Sequence, residues 1–253
     1  MSVPKNHFWT GSACLKDPRA YPSNVIAISD ILTITQDLGN HIPNGSWMIY
    51  LFELFIDKAR FVPLELDLFC QFDGKNNFKA VFNGVNQHTF KKVPEIGHSY
   101  QREILLDSSR LTIIYRLLEL DSQEEPEIFE LSANNMDGSV DDQKKSDLVT
   151  LINEVNYEPC KHFTGIEWWD MTNEPPTPFP IRYQVGTSML RYAQSDTDLA
   201  NPNYTYYRSL IPDIDTLHKQ YPISFHNLRE MNGCICYDVN VGIANTGMTY
   251  SLQ

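Results

Sequence analysis

The sequence predicts a mainly β fold, an antiparallel β-sandwich with a few helices, one of them near the N-terminus. The run Trp47-Met-Ile-Tyr-Leu-Phe52 is continuously apolar, and Leu64-Glu-Leu-Asp-Leu68 alternates with the two-residue period of a half-buried strand. Further β-rich runs recur along the chain, separated by Gly, Asn, Asp and Pro clusters. Strands that are not regularly interleaved with helices favour an antiparallel sandwich over a parallel βαβ sheet.

Taken in order, residues 1–44 read as an N-terminal arm and 45–253 as the sandwich core of a single domain. Within the arm, Ser23 to Leu38 reads as a helix, because Val25, Ile28, Ile31, Leu32 and Leu38 fall near one face, although its β-branched content also suits a strand. Gly45 to Phe72 carries strands whose one face is core and the other wet. Similar runs follow at Phe78 to Phe82, Arg110 to Leu120, Glu127 to Leu131, Arg182 to Tyr192 and Cys234 to Val241. The strongest helix signal begins at Ser146, a capping residue followed by Asp147, with Leu148, Leu151, Ile152 and Val155 at helical spacing. A short third helix is expected from Pro212 to Gln220, with proline in its first turn. Asp121 to Glu127 and Asn134 to Lys145 read as surface excursions, and Glu174-Pro-Pro-Thr-Pro-Phe-Pro180 as an extended strap, because each proline fixes its own φ and biases its predecessor away from helix.

Composition narrows the function. Hydrophobic residues make up 42% and charged residues 21% of the 253, ordinary globular usage that can build a core. A net charge of -12 disfavours a nucleic-acid partner, which would require cations to neutralise phosphates, and equally an anionic membrane surface. The adjacent pairs Lys91-Lys92 and Lys144-Lys145 read as solvated loops. The chain shows neither the apolar run of a signal peptide nor one long enough to span a membrane, and its five cysteines do not form an even disulfide framework, so a cytosolic location is expected.

The search for chemistry yields no nucleophile elbow and no glycine-rich phosphate cradle. Cys234-Ile-Cys236 is spaced too tightly for a usual zinc knuckle and reads as two small apolar side chains on one face of a strand. Asn135-Met-Asp137-Gly138 resembles part of a calcium loop, but Ala133 stands at its first position and the closing Glu is absent, so it reads as a turn. The expectation is therefore no metal, no cofactor and no enzyme active site. The densest cluster is His162 with Glu167, Trp168, Trp169 and Asp170, followed by Glu174. It could bind a carbohydrate or small ligand on an aromatic platform, or hydrolyse a glycoside if two carboxylates faced one cleft. Aromatics filling a core with acids outside is the plainer alternative.

Several short segments resemble cypovirus polyhedrins, the proteins that crystallise around virus particles in infected insect cells. These are the polar arm leading through Asn44-Gly45 into an apolar strand, His162-Phe-Thr-Gly-Ile-Glu167, and Tyr237-Asp-Val-Asn240 ahead of a polar end closing in Ser251-Leu-Gln253. The acidic composition and the stretch Leu120 to Leu151 depart from that pattern. The resemblance implies a sandwich with a projecting N-terminal helix, Ser23 to Leu38, assembling as trimers into a crystalline occlusion body in the host cytoplasm. Its partners would be itself and virus particles, and the lattice would dissolve in alkali. Tyr204, Tyr206 and Tyr207 would then be candidates for a pH-sensitive interface, since phenols ionise near pH 10 and added negative charge would push acidic subunits apart. Strand tyrosines packing on a neighbour is the alternative for each.

Overall fold

The computed structural model describes residues 6–15, 24–34, 46–56, 64–72, 76–137, 141–155, 160–170, 181–185, 190–194, 198–206, 211–216, 223–231 and 234–241, some of them by backbone alone. Its strands are β1 (Asn6–Leu15), β2 (Val25–Thr33), β3 (Ser46–Ile56), β4 (Leu64–Phe72), β5 (Asn77–Phe82), β6 (Val85–Thr89), β7 (Ser99–Asp107), β8 (Thr112–Glu119) and β9 (Glu127–Ser132). After helix α1 (Asp142–Glu154) come β10 (Cys160–Asp170), β11 (Ile181–Val185), β12 (Arg191–Gln194), β13 (Thr205–Tyr206), β14 (Ile211–Thr216), β15 (Ile223–Met231) and β16 (Cys234–Val241).

Two large antiparallel sheets pack face to face. One has seven strands in the order β14-β1-β10-β3-β4-β5-β6, the other six in the order β13-β12-β2-β7-β8-β9, and a three-stranded sheet runs β11-β16-β15. Strand periodicity explains the layering. Tyr50, Phe52 and Leu54 of β3 and Leu64, Leu66 and Leu68 of β4 all point into the same core as Ile104 of β7 and Tyr115 of β8. The sheet edges also meet, because the His88 ring of β6 stacks on Phe129 of β9 with centroids 4.7 Å apart.

The sandwich matches the sequence expectation, but two of the expected helices are strands. Ser23 to Leu38 contains β2, not a projecting helix. The helical spacing of Val25, Ile28 and Leu32 has a local cause. Gln194 pairs with Val25 and Ala193 with Ala27, leaving Ile26 as an extra residue in β2. This bulge resets the alternation, so Val25 and Ile28 both face the core although they are three apart. The Pro212 to Gln220 helix is likewise replaced by β14, which pairs with β1. Helix α1 exists and buries Leu148, Leu151 and Ile152 as expected, but it starts at Asp142, so Ser146 is interior and not its cap. Lys92 also departs from the solvated-loop expectation. It is 9% exposed, and its ammonium lies 2.6 Å from Glu124 and 3.7 Å from Glu119. The 174–180 strap lies outside the described residues.

Candidate active site

Strands β10, β3 and β4 are neighbours in the seven-stranded sheet, and their alternate residues point away from the main core. On that face Ile49, Leu51 and Phe163 form a separate apolar cluster with Phe69 packed against it. Set into this surface is a group of acids. Glu53 of β3 stands directly opposite Asp67 of β4, and opposite Phe163 on its other side. Both carboxyls are buried, Glu53 being 7% and Asp67 6% exposed. Glu65, on the same face of β4, is half-buried, as is Glu167 of β10.

Electrostatics separates these acids. Burial pushes the Asp67 carboxyl well above the usual aspartate range, and the charges of Glu65, Glu53 and Glu167 push it further the same way. Glu65 is also raised, first by burial and then by Glu167. Like charges held close on a surface removed from water resist ionising together, which favours the protonated form of Asp67. The result is a carboxyl, Asp67, biased towards its neutral form and facing a carboxyl partner across adjacent strands. Perturbed acids paired in this way are a recurrent mark of functional sites.

The residues singled out from sequence are not brought together. His162 and Glu167 lie five apart on one strand and therefore on opposite faces. His162 is fully buried on the core side, where burial lowers its pKa to about 3, whereas Glu167 lies on the acidic face. Trp168, Trp169 and Asp170 continue β10 opposite Met48, Trp47 and Ser46, with side chains outside the described set. Tyr204 is half-buried. It packs on the outer face of the six-stranded sheet against the cluster of Ala27, Leu105, Ile114 and Ala193, with the Arg191 guanidinium 5.0 Å from its ring centre. Burial, then the charge of Glu103, raises its phenol pKa further from the physiological range. Tyr206 lies in β13 opposite Arg191, and Tyr207 is outside the described residues. Among the described residues no group of three or more His, Cys, Asp or Glu could hold a metal ion.

Glu53, Glu65 and Asp67 were passed over in the sequence. The available signal was a single acid inside each apolar run, Phe52-Glu53-Leu54 and Leu66-Asp67-Leu68. An acid at such a position must be either at the surface or held for a purpose, because burying its charge is expensive.

No protein-family model matches the chain, and no curated protein matches it. Solved structures do. Scytalido-glutamic peptidase bound to a transition state analog inhibitor is similar over 93% of this chain and 98% of its own, at 12% identity and a TM-score of 0.45. SCP-B, a member of the Eqolisin family of peptidases solved with a tripeptide, is similar over the same shares at 8% identity and a TM-score of 0.41. Lectin II from Ulex europaeus is similar over 66% of this chain and 94% of its own, at 10% identity and a TM-score of 0.25. These values concern the fold. The expectation of a chain that is not an enzyme stands against this comparison, in which two of the similar structures are peptidases. None of the comparisons bears on the resemblance to polyhedrins.

Proposed function

We propose that the chain is a hydrolase that works through a pair of carboxyl groups, Asp67 as general acid and Glu53 as general base. The observation that supports this reading is the Glu53–Asp67 pair itself, buried, directly cross-strand and set apart from the main core, with Asp67 raised towards its neutral form. A water placed between the two would lose a proton to Glu53 as its oxygen bonds to the substrate carbon. Asp67 would give its proton to the departing atom, and the acid's proton would then be restored from Glu53 through solvent. Asp67, whose carboxyl is raised, suits the proton-bearing role, which leaves the proton-accepting one to Glu53. Ile49, Leu51, Phe69 and Phe163 would supply an apolar bed for the substrate beside the acids.

The test is hydrolysis of an unfolded protein and of a polysaccharide set from pH 3 to 8, with new chain ends counted. Asp67→Asn and Glu53→Gln should each lower turnover by roughly 10²- to 10⁴-fold, the usual contribution of a positioned acid or base. Turnover in the parent should fall as pH rises through the raised pKa of Asp67, since the acid must carry its proton. Cleavage of neither polymer at any pH, or full activity in both variants, would sink the proposal.

A further inference from the structure

We infer that Arg102 is a positioning residue for the carboxyl pair, reaching across the sandwich to hold the β3–β4 ladder open beside Glu53 and Asp67. The inference rests on the hydrolase reading for its functional meaning, but its geometry stands apart from it. Arg102 belongs to β7 in the opposite sheet and is 1% exposed, a full charge in the middle of the core. Its guanidinium has five N–H donors, and every one is used. Nε donates to Asp30 Oδ1 at 2.9 Å, and Nη2 donates to Asp30 Oδ2 at 2.5 Å and to the Leu51 carbonyl at 3.3 Å. Nη1 donates to the carbonyls of Tyr50 at 2.6 Å and Leu68 at 3.0 Å. Asp30 Oδ2 also accepts from the Thr164 hydroxyl of β10 at 2.5 Å, and the Arg102 guanidinium lies 5.4 Å from the Phe52 ring centre.

Those three carbonyls mark an interruption. Pairing of β3 with β4 runs Met48↔Phe72, Ile49↔Gln71, Tyr50↔Cys70, skips two residues on each strand, and resumes at Glu53↔Asp67. The offset is the same on both sides of the gap, so no bulge explains it. On its other edge β3 pairs with β10 without a break. The interruption therefore belongs to the β3–β4 edge alone, where Arg102 takes up carbonyls of Tyr50, Leu51 and Leu68. The first pair beyond it is Glu53 and Asp67.

A buried ion pair seldom adds stability over well-packed apolar residues, which leaves geometry as the better account of why a guanidinium sits here. The influences that raise the Asp67 carboxyl are burial and three acids, so the part assigned to Arg102 is geometric. It sets the separation of two strands and hence of the groups they carry. Lysine, with one nitrogen and three donors, cannot reproduce the fork that engages Asp30 and both strands at once.

The experiment is a ¹³C NMR titration of the Glu53 and Asp67 carboxyls in the full chain, with kcat and KM measured beside it, for the parent, Arg102→Lys and Thr164→Val. Thr164→Val removes the hydroxyl that donates to Asp30 and accepts from Arg102 Nη2 at 3.5 Å while keeping the guanidinium, and it decides alone if Arg102→Lys does not fold. Arg102→Lys should move the apparent pKa of Asp67 by about one unit, well above the scatter expected from a distant change, with Thr164→Val shifting it less in the same direction. In an active enzyme kcat should fall by about tenfold or more with KM little changed, the pattern of an interaction needed only in the transition state. Titration curves that superimpose on the parent's in folded variants would overturn the inference. The two readings separate cleanly: shifted curves in an inactive parent keep the positioning role and remove the hydrolase, and unshifted curves in an active parent do the reverse.

Discussion

At the scale of single residues, Asp67 carries a consequence for stability as well as for chemistry. Its folded pKa is raised above the ordinary aspartate value of 3.8. The stabilisation it gives is therefore fully present below that value and is lost as pH rises through the folded pKa, because ionising it in place works against burial and three like charges. Asp67→Asn keeps the shape of the neutral acid and cannot ionise. The thermal midpoint of Asp67→Asn relative to the parent should be higher at pH 7.5 than at pH 4, and an equal difference at both pH values would show that Asp67 is not raised. A variant that gains stability at neutral pH while losing turnover would be the trade-off expected of a strained functional group.

At the scale of elements, the turn between β5 and β6 shows how a local sequence can fix a piece of the site's frame. Asn83 and Gly84 both have positive φ, 49° and 70°, the conformation that suits the tight twist of a two-residue hairpin. Asn83 accepts the Glu65 backbone N–H at 3.0 Å, and donates to Asp147 of α1 at 3.3 Å, so the turn ties the acidic strand to the helix. A Cβ added at Gly84 would sit 3.5 Å from Glu65 Oε1, an ordinary contact, so backbone strain governs the outcome. Gly84→Ala should destabilise the fold by about 1–2 kcal/mol, the usual cost of a left-handed non-glycine residue, as read by urea unfolding. No change would mean that the turn relaxes freely. The Asn-Gly pair was a legible hairpin signal in the sequence, although β6 itself, Val-Asn-Gln-His-Thr, carries too little apolar pattern to show as a strand. The opposite error occurred in β2, where a bulge brought Val25 and Ile28 to one face and imitated a helix.

At the scale of the whole molecule, the sandwich places titratable groups in two environments, and His162 reports on the inner one. Burial lowers its pKa from 6.5 to about 3, so the imidazole is neutral between the sheets. A base depressed in the folded state contributes stability that is present above pH 6.5 and lost as pH falls towards 3, a loss on the order of 5 kcal/mol at 1.36 kcal/mol per unit. The urea midpoint of the parent should drop across that window, and His162→Gln should flatten the drop. An unflattened curve would place the acid sensitivity in other groups. His162 and Asp67 pull in opposite directions, since acid favours the folded form of one and disfavours that of the other. The acidic face can thus be protonated for chemistry only where the core histidine still tolerates the pH.

What the sequence determined by itself is the material of the fold. Alternation in Leu64 to Leu68, the apolar run from Trp47 and the spacing in α1 are local patterns, and burial of one face follows from them wherever the partner surface comes from. Only the tertiary structure decided which acids matter. Glu53 and Asp67 lie on different strands and meet through strand register, while Arg102 and Asp30 come from the other sheet. A carboxyl's pKa depends on what lies within a few ångströms of it in space, and neighbours supplied by other strands leave no trace in the residues beside it in sequence. A local rule separated His162 from Glu167, because an odd spacing along one strand puts two side chains on opposite faces of the sheet.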